Sequence, residues 1–184
     1  DVFWVPSGAT TIGANSHLIG TIKGAPITIG ANSDINGVSP AAIKVMADSI
    51  SGNFGILAST YTNIAAGTSI IGDLGYTTGP KVMPSVSGNT YVADLVYSQA
   101  GITQKAMTSF ANSQACTVNL GTKVDLSLVN GGVYAPGVYC TTGAASIGTD
   151  GITLSGNGDY TFKISGALTT VANSSVKLAN GAQA

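Results

Sequence analysis

A short segment of the chain occurs twice, and the distance between its two copies constrains the fold. Thr-Ile-Gly-Ala-Asn-Ser at residues 11–16 returns at residues 28–33, a shift of 17 residues, and Thr153 and Thr170 stand the same distance apart. A unit of this length has room for three short strands with Gly, Asn or Ser corners, and it buries its apolar side only by stacking on neighbouring units. The repeat therefore predicts a β-solenoid with triangular coils of about 17 residues or more.

Apolar and polar side chains alternate along the predicted strands. Residues 160–165 carry aromatic and branched side chains at the even positions and Thr, Lys and Ser at the odd positions. Successive side chains of a strand point to opposite faces, so one face of each coil is expected to be core and the other wet. Coils that stack in register about 4.8 Å apart would align their outward threonines. We expect this outward column to contain Thr11, Thr28, Thr153 and Thr170.

One segment departs from the strand pattern. Between residues 90 and 111 apolar side chains recur near helical spacing without an intervening proline, and Thr90 is a possible N-cap. Gly101 destabilises such a helix by roughly 1 kcal/mol relative to Ala, so packing on the solenoid must hold it. The sequence predicts a single α-helix over about 90–111 alongside the solenoid, preceded by an irregular loop at 77–89.

The scarcity of charge excludes several classes of protein. Only 8 % of the residues are charged, neither Glu nor Arg occurs, and the net charge is −1. Nucleic-acid binding is excluded because scattered lysines form no basic stripe that neutralises phosphates. No segment matches the ~20 apolar residues that span a bilayer, so no membrane partner is expected.

The two cysteines and the low charge bear on where the protein works. A surface so poor in charge is more typical of a secreted protein than of a cytosolic one. Cys116 and Cys140 are then expected to form a disulfide, which would stabilise the fold by roughly 3 kcal/mol; two unpaired buried thiols are the alternative. The first residues lack the basic start and apolar run of a signal peptide, and we expect a mature chain or a piece of a larger one, outside the cell.

The residues that usually carry catalysis do not form a recognisable set. The single histidine, His17, occupies the repeat position of Asp34, which is typical of a solvent-facing side chain. No aspartate has a carboxylate neighbour within four positions, and no phosphate-loop or metal-ligand spacing occurs. We therefore expect no catalytic residue, no metal and no cofactor. A β-helical polysaccharide lyase or hydrolase with converging carboxylates is the enzymatic alternative.

Rows of Thr, Ser, Ala and Gly with almost no charge form an unusual surface on a rigid stack. Methyl groups order water around them and hydroxyls anchor it by hydrogen bonds, so a regular array of both can hold a sheet of water in place. Ice is a plausible ligand for such a surface. Threonines that merely satisfy β-propensity on a wet face are the alternative.

Five segments spread over most of the chain carry a family resemblance. They are Gly-Asn-Phe-Gly-Ile-Leu-Ala at 52–58, Gly-Asp-Leu-Gly at 72–75, Ala-Pro-Gly-Val-Tyr-Cys at 135–140, Asn-Gly-Ala-Gln-Ala at 180–184 and Val-Phe-Trp at 2–4. This set, with the predicted helix between its second and third members, resembles the microbial ice-binding protein family. The resemblance implies a discontinuous right-handed β-solenoid with one helix along its side. It also implies adsorption to ice, thermal hysteresis and inhibition of ice recrystallisation.

The order of these segments departs from that of the family. There, Asn-Gly-Ala-Gln-Ala runs directly into the Val-Phe-Trp strand, whereas here the two lie at opposite ends of the sequence. Residues 1–47 resemble the C-terminal coils of the family and residues 48–184 its N-terminal part. We expect a single, circularly permuted domain over residues 1–184. A segment cut across the junction of two tandem domains is the alternative.

The resemblance places the ice-binding surface on one flat face of the solenoid and its edge. Some members carry a Thr-Ala/Gly-x-Thr/Asn motif there, and its nearest match is Ser-Gly-Ala-Thr at 7–10, while residues 142–145 and 165–168 keep only the first half. The polar residues at the strand ends form a second candidate, the strand-end set, beside the outward column. The strand-end set contains Ser7, Ser59, Thr60, Thr62, Thr142 and Ser165. Thr10, the last residue of the Ser-Gly-Ala-Thr match, is a further candidate. Trp4, Leu57 and Lys163 are expected to point outward on the same strands, and a helix packed over that face would favour the column.

A β-solenoid adhesin or polysaccharide-binding module is the alternative function. Such a site needs exposed aromatic platforms for sugars, and the candidates are Trp4, Tyr61, Tyr76 and Tyr134. The expected partner in the preferred reading is the surface of an ice crystal, and the chain is expected to be a monomer.

Overall fold

The structure is a computed structural model that describes residues 2–22, 26–36, 54–64 and 66–183. Within these ranges it contains 21 β-strands, one α-helix and a short 3₁₀-helix at Val129–Gly132. The strands form four sheets in which neighbours run parallel. The prediction of a mainly β protein with a single helix is confirmed.

The largest sheet, sheet A, has eight strands, and strands from distant parts of the chain meet at its centre. Val2–Pro6 lies between Tyr160–Ile164 and Thr21–Ile22. In spatial order sheet A consists of β12 (Thr90–Val92), β10 (Asp73–Tyr76), β7 (Phe54–Leu57), β4 (Thr21–Ile22), β1 (Val2–Pro6), β19 (Tyr160–Ile164), β16 (Gly137–Thr141) and β13 (Val118–Gly121).

Sheet B has six strands and forms a second side of the stack. In spatial order it consists of β14 (Val124–Asp125), β17 (Ala145–Ile147), β20 (Leu168–Thr170), β2 (Thr10–Ile12), β5 (Ile27–Ile29) and β8 (Tyr61–Asn63). Its edge at β8 continues through a bridge between Thr60 and Thr78.

Two smaller sheets form the third side. Sheet C consists of β11 (Ser85–Val86), β9 (Ser69–Ile71), β6 (Asp34–Asn36) and β3 (His17–Ile19). Sheet D consists of β15 (Val133–Tyr134), β18 (Ile152–Ser155) and β21 (Val176–Ala179). A bridge between His17 and Ser175 joins the two sheets. The chain passes from sheet A to sheet B to the third side in turn, for example through β1, β2 and β3, which is consistent with a solenoid.

The short repeat predicts one register correctly and one wrongly. Thr11 lies opposite Thr28, as the repeat predicts. Thr153 and Thr170 lie in different sheets, β18 and β20, because the loop at 156–159 lengthens the coil before β19. Their equal spacing in the sequence is therefore coincidental, and neither belongs to the column of Thr11.

Aromatic rings stack inside sheet A across adjacent coils. The ring centroid of Phe162 lies 4.5 Å from that of Trp4 and 5.2 Å from that of Tyr139. Trp4 is fully buried, and its indole Nε1 donates a hydrogen bond to the carbonyl oxygen of Ile19 at 2.9 Å. The expectation that Trp4 points outward is wrong. Leu57 does lie on the outer side of sheet A, and it is only 8 % exposed because helix residues such as Tyr97 and Gln104 lie over it.

The helix, α1, spans Leu95–Ser113 and lies over the outer side of sheet A. Its predicted existence is confirmed, but its predicted start at Thr90 is wrong. Thr90–Val92 pairs with β10 as a strand, and the N-cap is Asp94, whose Oδ1 accepts from the backbone N–H of Tyr97 at 2.8 Å. The predicted irregular loop at 77–89 contains one two-residue strand, β11. No helix in the described ranges combines the length and apolarity needed to cross a membrane.

Two contacts hold the C-terminal end of α1 to sheet A. Lys163 points outward, as expected, and its Nζ donates to the carbonyl oxygens of Asn112 and Gln114 at 3.0 and 2.9 Å. A cation at this end also interacts favourably with the helix dipole. Cys116 and Cys140 form the predicted disulfide, with their Cα atoms 5.8 Å apart. The helix is therefore fixed against the solenoid at the point where the chain re-enters it.

Candidate functional site

Threonine side chains line up along the outer side of sheet B. The register pairs Ser146 with Thr169, Thr169 with Thr11, Thr11 with Thr28, and Thr28 with Thr62. Their chain neighbours on either side in each strand are buried, so this row faces out. Adjacent strands lie about 4.8 Å apart, which sets the spacing along the row. We call Thr169, Thr11, Thr28 and Thr62 the threonine row.

Small side chains flank the threonine row on both sides. Backbone hydrogen bonds from Leu168 to Ala9 and from Ala145 to Ala167 place alanines side by side on one flank, and glycines predominate on the other. We call the whole surface face B, and all of its members are exposed or half-exposed. Face B consists of Ala144, Ser146, Gly148, Ala167, Thr169, Val171, Ala9, Thr11, Gly13, Pro26, Thr28, Gly30, Thr60, Thr62 and Ile64. None of these residues carries a charge.

Buried hydroxyls pin one flank of face B from inside. Thr68, Ser33 and Ser16 are buried, and each donates to a carbonyl oxygen of the next coil: Gly30 at 3.3 Å, Gly13 at 2.8 Å and Val171 at 2.9 Å, respectively. These three carbonyls belong to face B, so their positions are fixed by the core.

Glycine lets the coils approach each other closely at the same flank. A Cβ added at Gly13 would overlap the backbone of Val171 and Ala172, and one added at Gly30 would overlap that of Ala14. No larger residue fits there without moving the coils apart. Close stacking and interior hydrogen bonds together make face B stiff.

The ends of face B differ. On the strand next to Ser146, the position in line with the row is occupied by Asp125 of β14. The Asp125 carboxylate turns back into its own loop, where Oδ1 accepts from the backbone N–H groups of Ser127 and Gly148 at 3.0 and 3.1 Å. At the other end, the loop after Thr78 covers the edge of β8, since Asn63 Nδ2 donates to the carbonyl oxygen of Val82 at 3.0 Å.

Two residues proposed from the sequence do not reach this surface. Thr10 is fully buried and faces inward. Thr170, at 2 % exposure, also faces inward, where its Oγ1 accepts from the backbone N–H of Gly13 at 3.0 Å. Thr153 is half-exposed on the third side, opposite Lys177. The expected column of four threonines is therefore wrong at Thr153 and Thr170.

Thr169, which the sequence reasoning missed, takes their place in the row. The residue triplet Ser-Gly-Ala occurs at 7–9 and 165–167, and Thr-Gly-Ala occurs at 142–144. Aligning these triplets places Thr11, Thr169 and Ser146 at equivalent positions, as the register does. The Ser/Thr-Gly-Ala triplet therefore predicts the register of these strands, whereas the 17-residue spacing does not.

The strand-end set divides between face B and the corner beside it. Thr60 and Thr62 belong to face B. Ser7, Thr142 and Ser165 follow the paired residues Pro6, Thr141 and Ile164 and are exposed at the corner between sheets A and B, and Ser59 is exposed at the same corner. Helix α1 covers the outer side of sheet A, which is the arrangement expected to favour the column over the strand-end set.

The aromatic rings considered for sugar binding lie inside the fold. Trp4 and Tyr61 have no exposed area, and Tyr134 and Tyr76 are 1 % and 8 % exposed. Burial raises the pKa of the Tyr61 and Tyr134 hydroxyls well above their usual range. None of these four rings offers a platform on which a sugar can stack.

The Asp34 carboxylate has structural partners. Asp34 accepts a hydrogen bond from the hydroxyl of Ser69, and its Oδ2 lies 3.8 Å from His17 Nδ1. The aspartate thus stands between serine and histidine, whereas a hydrolase triad needs the histidine in the middle. In the described part of the chain no three potential ligands are close enough to hold a metal ion. Asp1 and Asp48 lie outside the described residues.

Comparisons with known proteins identify the family. No curated protein and no solved structure matches the chain. A family model described as Ice-binding-like matches residues 38–184, which include strands β7–β21 and helix α1. Since this match covers well over half of the sequence, the chain belongs to the ice-binding-like family.

Proposed function

We propose that the protein binds ice through face B, with the threonine row at its centre. Adsorption there would produce thermal hysteresis and inhibit ice recrystallisation. The observation that carries this assignment is the register that sets four threonines side by side on adjacent strands. Membership in the ice-binding-like family supports ice as the partner.

The chemistry of face B suits ordered water. Each threonine presents a hydroxyl that anchors water and a methyl group around which water orders, and the flanking alanines and glycines leave room for it. An immobilised water costs roughly 0–2 kcal/mol, so each contact is weak and binding must be collective. A stiff surface loses little further entropy when it meets ice, and the interior hydrogen bonds of face B supply that stiffness.

The other two sides are less suited to the same task. Helix α1 lies over the outer side of sheet A. The third side carries His17 and Asp34, which are partly exposed, and Lys177, which is exposed. Charged groups hydrate in their own geometry and would disturb a regular water layer. Face B is the one of the three sides that is both uncovered and free of charge among the described residues.

The remaining features of the proposal rest on the family and on the composition. The coils are right-handed and triangular, with about 17 residues or more. The protein is secreted, in keeping with its disulfide, and it acts without catalysis or a cofactor, as befits a family of non-enzymatic proteins. Residues 1–184 form one permuted domain, which the pairing of β1 with β19 supports.

A tyrosine substitution at one position of the threonine row tests the proposal. Thr11→Tyr places a bulky ring at the centre of the threonine row, and we expect it to abolish most of the thermal hysteresis measured by nanolitre osmometry. Thr153→Tyr is the matched control, because Thr153 is a half-exposed outward threonine in mid-strand on another side. Circular dichroism confirms that both variants fold. Equal hysteresis for the wild type and the folded Thr11→Tyr protein would refute the assignment of face B.

A further inference from the structure

All three sides of the stack end on the same coil. Strands β13, β14 and β15 are the outermost strands of sheets A, B and D, and each has a neighbour on one side only. On this open side, the carbonyl oxygen of Asp125 accepts a hydrogen bond from the N–H of Leu128 in the following turn at 3.1 Å. The opposite end of sheet B differs, since the loop after Thr78 bonds to β8. We call the coil at 117–134 the end coil.

The end coil exposes three large aliphatic side chains and carries one pair of opposite charges. Leu128, Val133 and Val118 are 72 %, 49 % and 38 % exposed, which is high for large aliphatic side chains. Its charged residues are Lys123 and Asp125, which flank the buried Val124 at the start of β14. The net charge of the end coil is therefore zero.

The backbone of β14 directs one N–H group towards the open side. The N–H groups of Val124 and Leu126 donate to the carbonyls of Ala144 and Ser146 in the neighbouring coil. Backbone groups of a strand point alternately to its two sides, so the N–H of Asp125, which lies between them, is directed away from the stack. An edge of this kind is a template for another strand.

We propose that the end coil is an interaction surface for a second copy of this chain. Antiparallel pairing of two β14 strands about Val124 sets Lys123 of each copy opposite Asp125 of the other. The contact is self-complementary, as a two-fold interface requires. Each Lys123 ammonium would face an Asp125 carboxylate whose Oδ1 is held by its own loop, and each Asp125 N–H would gain an acceptor. Leu128, Val133 and Val118 then lie at or near the seam, where their burial adds to the association.

The pairing has a consequence for face B. Strands in an antiparallel pair are related by a two-fold axis perpendicular to the sheet, so side chains that face outward in one copy face the same way in the other. The two threonine rows would then face the same side, separated at the seam by Lys123 and Asp125 of the two copies. This consequence rests on the proposed ice binding, whereas the association itself does not.

Sedimentation equilibrium over increasing protein concentration, without ice, tests the association. We expect the apparent mass to rise from the 18.2 kDa of one chain towards twice that value. Lys123→Asp gathers four carboxylates at the seam and should keep the mass at that of one chain. The substitution is compatible with the local backbone, because Lys123 has a φ of 51° and Asp tolerates this region better than most residues.

Lys105→Asp is the matched control, since Lys105 is an exposed lysine on α1 and the change in net charge is the same. It should associate like the wild type. Carbodiimide cross-linking of a mixture of ¹⁴N- and ¹⁵N-labelled protein should join Lys123 of one copy to Asp125 of the other.

A wild-type protein that stays a monomer at every concentration, as expected from the sequence, would overturn the proposal. Short edge strands and an edge lysine also serve to keep sheets apart, and that result would show that they do so here. Equal association of the Lys123→Asp and Lys105→Asp proteins would equally overturn the pairing. Neither result bears on ice binding by the single chain.

Discussion

At the scale of single residues, the direction of a threonine side chain decides its role. Thr10 and Thr11 are adjacent, yet Thr10 is fully buried and Thr11 belongs to the threonine row, and the same holds for Thr170 and Thr169. A slip of one residue exchanges the two faces of a strand. Composition and alternation predict from the sequence that threonines face out in this protein. They do not determine which of two adjacent threonines does so, because that depends on register with distant strands.

Removing the hydroxyl is expected to change the free energy of unfolding in opposite directions at the two buried threonines. The Thr10 Oγ1 is buried without a hydrogen-bond partner, whereas the Thr170 hydroxyl accepts from Gly13 and lies 3.4 Å from Ser16 Oγ. We expect Thr10→Val to raise the free energy of unfolding by about 1 kcal/mol and Thr170→Val to lower it by a similar amount. Urea titration measures both. Hysteresis should persist in Thr10→Val, and destabilisation of that variant would show that its hydroxyl is satisfied.

At the scale of elements, tertiary contacts determine where α1 lies more than helix propensity does. Its hydrophobic spacing predicts a helix, and the N-cap role of Asp94 shows why the start differs from the prediction at Thr90. The strand at Thr90–Val92 forms because β10 offers a neighbouring edge, which a local pattern does not reveal. The anchoring contacts are also non-local: Gln104 Nε2 donates to the carbonyl oxygen of Leu57 at 3.1 Å, and Lys163 bonds to the end of the helix.

Gly101 is a weak point in α1 that can be repaired. An added Cβ at Gly101 meets no atom within 4 Å, so Gly101→Ala should raise the free energy of unfolding by about 0.5–1 kcal/mol through helix propensity. Gly13→Ala is the contrasting variant, because its Cβ would overlap the next coil, and it should lower the stability. Chemical denaturation of the two proteins checks the prediction. A loss of stability in Gly101→Ala would mean that the space beside the helix is occupied in solution.

At the scale of the whole molecule, the order of coils in the stack differs from their order in the chain. The coil of β1–β3 lies between the coil of β19–β21 and that of β4–β6. Three separate parts of the sequence therefore supply the threonine row: Thr169, then Thr11 and Thr28, then Thr62. The repeat predicts stacking within one part, as at Thr11 and Thr28. The resemblance to the family predicts that the outer parts of the sequence, its first and its last coils, lie next to each other. No local sequence pattern predicts this contact.

Contact between these outer parts predicts that the chain tolerates a change in connectivity. Joining residue 184 to residue 1 through a short Gly-Ser linker, with new ends opened within residues 37–53, keeps every described strand pairing. We expect the rearranged protein to keep its thermal hysteresis. Its melting temperature should change by less than about 4 °C, which corresponds to roughly 1 kcal/mol in a chain of this size.

The comparison separates one permuted domain from a piece of two tandem domains. The circular dichroism spectrum and the thermal hysteresis of the rearranged protein are compared with those of the parent protein. If the outer coils pair only between different molecules in the parent, the linker will strain them. The rearranged protein would then lose its fold or its hysteresis.

The pairing of β1 with β19 also determines the order in which parts of the stack can form. A ribosome makes β1 early and β19 late, so the Trp4 ring is synthesised long before the Phe162 ring on which it stacks. Until β19 is made, the edge of β1 with which it pairs stays open. Long-range strand pairing of this kind is slow, and an open edge is prone to aggregation. The stack closes when the late coil arrives at the early one. The surface assigned to ice therefore becomes continuous only in the last stage of folding.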